Sequence, residues 1–129
     1  MNNQPSPPWL LAGAAKVVIT DEKVVPANDP LYAKALVLKS GDTTAVLATV
    51  DAVAIAEIGS IQNSYLETVR SRLANEPGID PARLIVNASH CHGRVCTDVA
   101  ERTVQAVREA HEALVPVTIG VGTGHEDRI

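Results

Sequence analysis

Phenylalanine is missing altogether from this sequence, and Trp9, Tyr32 and Tyr65 are its only large aromatic residues. Proteins that bind single-stranded nucleic acid stack bases on aromatic rings and neutralise phosphates with surplus cations. With 11 basic against 15 acidic residues this chain has neither, so nucleic acid is excluded as an expected partner. Long apolar runs are lacking too. None approaches the roughly 20 residues that span a bilayer, and Met1-Asn2-Asn3-Gln4 carries none of the positive charge of a secretory signal. A soluble, cytoplasmic chain with no membrane span is expected.

Cysteine is scarce. Cys91 and Cys96 are the only two, so no multi-disulfide framework holds the fold and no four-sulfur zinc ribbon can form. Their spacing is compatible with a small closed loop, with soft ligands for a metal, with a redox pair, or with two buried free thiols. A chain of 129 residues fits one domain with a core of its own, which here must be built from Val, Leu, Ile and Ala.

Three prolines and mostly polar neighbours make residues 1–11 an expected irregular leader, with 12–129 a single α/β domain. A strand is expected over Ala15–Thr20, where β-branched residues cluster. Tyr32–Lys39 and Thr43–Val50 flank Ser40-Gly41-Asp42 and should pair as a hairpin. The second of these, apolar on both faces through Ala45-Val46-Leu47-Ala48, reads as covered on both sides, while Lys34 and Lys39 make the first edge-like.

Ile58, Ile61, Tyr65, Val69 and Leu73 recur at helical spacing and predict a helix over 56–75, stopped by Pro77-Gly78. Asp80-Pro81 suits a short helical start before a buried strand over 83–88. A second helix opens at Thr97-Asp98 with Ala100, Val104, Val107, His111 and Leu114 facing the core, and Val117–Val121 reads as a last strand. The order implies a mixed β-sheet with a hairpin, at least two right-handed crossovers and two main helices packed on it.

The residues with most chemical content are Asn87-Ala88-Ser89-His90-Cys91-His92, at the exit of the apolar run Leu84-Ile85-Val86. Residues two apart on a strand share a face, so two imidazoles would leave one side of one strand end. Neutral imidazole is a good zinc ligand, and His90 with His92 would supply half of a metal site. A solvated surface pair has the same spacing. His111, on the core-facing stripe, reads as a core histidine or a third ligand, and His125 as part of a solvated tail. Asp51, just after its strand, would emerge at the same sheet edge, either orienting a metal-bound imidazole from behind or closing a turn.

Four blocks in order, Ala12-Gly13-Ala14-Ala15-Lys16 with Ile19-Thr20, then Asp29 to Leu38, then Val50-Asp51, then Asn87 to Gly93, resemble the opening of the neutral/alkaline ceramidase family. Ala88-Ser89-His90-Cys91-His92-Gly93 is similar to that family's Ala-Thr-His-Thr-His-Ser-Gly, whose histidines bind the catalytic zinc. The resemblance implies a Zn²⁺ cofactor held by His90 and His92. It also implies hydrolysis of an amide in an N-acyl, lipid-like substrate, by a family often secreted or membrane-associated.

The chain departs from the family pattern at Asp21, where a proline is usual, and lacks the serine before Gly93. Nor does it contain matches to the family's further His, Glu and Tyr ligands. The expectation is therefore the amino-terminal portion of a longer catalytic domain, self-associating or pairing with the remainder. The alternative is a non-catalytic α/β interaction module with an incomplete metal site.

Overall fold

The computed structural model describes residues 10–23 and 28–128. Within them the chain forms a five-stranded mixed sheet in the order β4-β3-β2-β1-β5 with two helices packed on it, an α/β fold. The strands are β1 (Leu11–Val18), β2 (Tyr32–Ser40), β3 (Thr43–Val50), β4 (Leu84–Ala88) and β5 (Val115–Pro116). The helices are α1 (Tyr65–Leu73) and α2 (Val99–Glu112). Most of the expected leader lies outside the described residues, and its last residue, Leu11, belongs to β1.

Local chemistry accounts for several elements. Ser40 pairs with Thr43, so Gly41-Asp42 is a two-residue hairpin loop, and Gly41 supplies the positive φ of 55° that such a turn requires. The Asp80 carboxylate accepts from Ala82 N at 2.9 Å, capping the single 3₁₀ turn Pro81–Arg83 before β4.

The first strand starts four residues earlier than β-branching alone indicates. Leu11 to Ala14 have modest intrinsic strand preference, but they pair with Lys39 to Leu36, and α2 crosses directly over them. Gly13 permits that crossing, because a Cβ there would lie 1.9 Å from the Ala110 carbonyl oxygen. Small residues recur on the inner face at Ala15, Ala33, Ala35 and Ala48. They let α2 sit close with Thr103, Val104, Ala106, Val107 and Ala110 buried. That buried stripe is rotated from the expected one, leaving Ala100, His111 and Leu114 at its margin.

The largest correction concerns the sheet's second face. Both helices lie on one side, against Val37, Val46 and Val50, so β3 is not covered twice. On the other side Leu36 pairs with Leu47 and Leu47 with Ile85, and this row is 38%, 41% and 63% exposed across three strands. Nor is β2 an edge. It lies in the middle of the sheet, and Lys34 serves a neighbouring strand end instead of guarding an open one.

Helix α1 is shorter than its apolar spacing predicts. Ile61 is buried but Ile58 is 58% exposed, and residues 52–64 form an irregular loop before Tyr65. One parallel crossover is present, from β3 through α1 to β4. The second connection carries α2 from one sheet edge to the other, where β5 arrives antiparallel to β1. The last strand is Val115–Pro116 and not Val117–Val121. Beyond the Val117 N to Leu10 O hydrogen bond of 3.1 Å, no described strand offers that apolar run a partner.

Candidate functional site

The parallel pairing of β3 with β4 continues into the loops that follow both strands. Ser89 N donates to Val50 O at 3.0 Å and Cys91 N to Ala52 O at 3.1 Å. Between them His90 adopts a φ of 60°, a left-handed conformation unusual for a residue with a Cβ and often found where backbone strain serves a site. The strand ends at Ala88, so its face alternation does not govern the pair. The reversal at His90 does, and the rings of His90 and His92 meet edge to face with centroids 4.9 Å apart.

The His90 Nδ1 lies 3.0 Å from the Val53 carbonyl oxygen. A carbonyl can only accept, so in the neutral ring Nδ1 carries the proton and Nε2 is the nitrogen left free to ligate. Both imidazoles are exposed. The rings alone offer at most two ligands, since among the described residues no three His, Cys, Asp or Glu side chains gather as a metal site would require.

Asp51 is buried and engaged elsewhere. Its carboxylate accepts from Tyr32 N, Lys34 Nζ and Ser89 Oγ, each at 3.0 Å. Burial works to raise its pKa, but the bonds from Lys34, Tyr32 N and Ser89, with the Lys34 charge, outweigh that and hold it below the ordinary carboxylate range. Asp51 thus ties together the start of β2, the end of β3 and the residue before His90. The carbonyl of Val53, not Asp51, orients the imidazole.

His111 faces the turn at Gly78, where its Nε2 is buried without a partner, and His125 is exposed in the segment after β5. Neither joins the pair. Both cysteines are free thiols, Cys91 part-buried and Cys96 buried. Burial, with the neighbouring Asp98 carboxylate, pushes the Cys96 thiol up to about 11, which leaves it protonated at neutral pH and unsuited to redox exchange.

Beside the rings, an open hollow of about 390 Å³ is lined by Val53, Gly59, Ser60, His92, Gly93 and Arg94. Sequence reasoning missed Ser60 and Val53, for which no local signal exists. Arg94 was within reach, because it stands two residues beyond His92. A short pairing builds this wall: Thr20 bridges Val95, Asp21 N donates to Arg94 O and Cys96 N to Ile19 O.

The fold is similar to one part of the fold of solved ceramidases. The chain superposes on a ceramidase complexed with C2 with a TM-score of 0.68 at 17% identity, over 83% of this chain and 22% of that one. On the neutral ceramidase of Pseudomonas aeruginosa the TM-score is again 0.68 at 17% identity, over 86% of this chain and 23% of that one. The chain therefore spans less than a quarter of the length of the ceramidases it resembles. No protein-family model matches it, and no curated protein matches it by sequence.

Proposed function

We propose that the chain supplies two imidazole ligands, His90 and His92, to the zinc centre of an amide hydrolase acting on N-acyl, lipid-like substrates. The observation that carries this reading is the meeting of the two rings at 4.9 Å, with His90 oriented by the Val53 carbonyl, within a ceramidase-like fold. A zinc held by His90, His92 and ligands from elsewhere would supply Lewis acidity toward an amide carbonyl and toward the water that attacks it.

The chain's own residues hold and aim. Val53 O fixes the His90 tautomer, Asp51 locks Ser89, and the hollow beside His92 receives the group next to the scissile bond. The remaining ligands come from outside the described residues. The bare row Leu36-Leu47-Ile85 supports association of the isolated chain with itself, for which light scattering at micromolar concentrations is the check.

Titrating the full chain with zinc while recording the imidazole NMR signals tests the metal reading. Zinc should shift His90 and His92, leave His111 in place, and bind weakly and reversibly, as two ligands must. Shifts spread equally over all four histidines, or none at His90 and His92, would refute it. The lack of a third gathered ligand among the described residues favours a second reading, a non-catalytic α/β interaction module with an incomplete metal site, and under that reading zinc stays weakly held even in a longer protein that contains this chain, whereas a completed site keeps its zinc through dialysis.

A further inference from the structure

The hollow beside His92 contains a cation that the zinc chemistry does not use. Arg94 pairs with Asp21 through Nε, at 3.2 Å from Oδ2, and its side chain is 71% exposed against 16% for Asp21. The carboxylate is thus a fixed, sheltered tether, and the guanidinium is held on one side only. Arg102, in the neighbouring wall, differs in this respect. Its Nε goes to Asp98, one terminal nitrogen to Val18 O and the other toward Glu22. Among the described residues Arg94 has no such second engagement, and its terminal nitrogens keep the two-pronged edge that matches a carboxylate.

Two further features make the hollow selective. Ser60 Oγ accepts from Val95 N at 3.4 Å, which fixes the oxygen and leaves its hydroxyl hydrogen to donate. Val53 and Gly59 carry no charge, so no acidic group lines the hollow. An otherwise acidic chain, with a formal net charge of −4, here presents an arginine, a hydroxyl donor and an imidazole to one cavity.

We propose that this hollow binds a carboxylate on the substrate, with Arg94 as its anchor and Ser60 as a second donor, so that the amide cleaved is that of an N-acyl amino acid. The identification of the substrate as an amide rests on the hydrolase reading above, but binding of a carboxylate does not. Anchoring the carboxylate at Arg94 would place the adjacent amide toward His92, which lines the same hollow. Arg94 is then a specificity-determining residue.

N-acetylglycine, its neutral analogue N-acetylglycinamide and acetate, titrated into the ¹⁵N-labelled full chain without metal, provide the test. N-acetylglycine should shift the Arg94 Nε–Hε and His92 ring signals and bind roughly tenfold tighter than the amide, the worth of one charge-assisted hydrogen bond. Acetate should shift Arg94 as well. The Arg94→Gln variant should abolish the preference and Arg94→Lys should keep part of it, with the remaining amide spectrum of each unchanged. Equal binding of acid and amide, no binding of either, or a preference that survives in Arg94→Gln would overturn the proposal. Failure of zinc to shift His90 and His92 would instead remove the hydrolase reading and leave the carboxylate site standing.

Discussion

Ser89 Oγ donates to Asp51 Oδ1 at 3.0 Å, joining two residues 38 apart in the chain and anchoring the first imidazole to the end of the neighbouring strand. Lys34 and the Tyr32 amide reach the same carboxylate from β2, so three strand ends share one acceptor. The Asp51 side chain is only 12% exposed, which strengthens its bonds and makes their loss expensive.

Replacing Asp51 with Asn should therefore destabilise the chain by about 1–2 kcal/mol at pH 7, a figure kept modest because Lys34 is half exposed. The folded pKa is depressed, so this contribution is present above the ordinary value of 3.8 and disappears as the pH falls below it toward the folded value. Urea unfolding of both proteins at neutral pH and again near pH 3 should show the gap closing.

His90 holds a left-handed backbone that glycine accepts and alanine resists. Both His90→Gly and His90→Ala remove the ring and its bond to Val53 O. The glycine variant should nevertheless be the more stable of the two by about 1 kcal/mol in equilibrium unfolding. Both should lose the zinc response of His92 together with that of position 90.

Gly13→Ala would drive a methyl group into the Ala110 carbonyl and the backbone at Ala113 and Leu114. Neither partner is a flexible side chain, so β1 and α2 must separate, at a cost of about 1–3 kcal/mol. Thermal unfolding followed by circular dichroism should show a lower midpoint with unchanged helix content at low temperature.

The thiols should react unequally. At pH 8 a disulfide reagent such as Ellman's should modify Cys91 quickly, while Cys96, buried and with its thiol pushed up to about 11, should react only as the chain unfolds. Two equally fast thiols in the native protein would contradict the burial of Cys96.

Much of the fold was legible in the sequence. The β2–β3 hairpin and β4 stand where turn chemistry and β-branching place them, and the Asp80 cap and the start of α2 follow from their local signals. The candidate site was legible only in part. The spacing of His90 and His92 marked the pair, but alternation along a strand does not bring them together. Asp51 was marked as well, yet its partners Tyr32, Lys34 and Ser89 lie on three different segments.

The remaining misreadings share a cause. Leu36, Leu47 and Ile85 are as apolar as core residues, and nothing in their own neighbourhoods reveals that both helices chose the opposite face. Val117–Val121 has the composition of a strand but no adjacent strand to pair with among the described residues. Leu11 to Ala14 lack that composition and form a strand because β2 and α2 are there to receive them.

The sequence by itself determined the Gly41-Asp42 turn, the strands on either side of it, the helical stretches within 65–73 and 99–112, and the nearness of His90 and His92 in the chain, because those depend on steric preferences over a few neighbouring residues. Only the tertiary structure decided which sheet face is dry, which carbonyl orients His90 and which cation shares the hollow beside His92. Those depend on groups dozens of residues apart, and no local preference encodes who will be the partner.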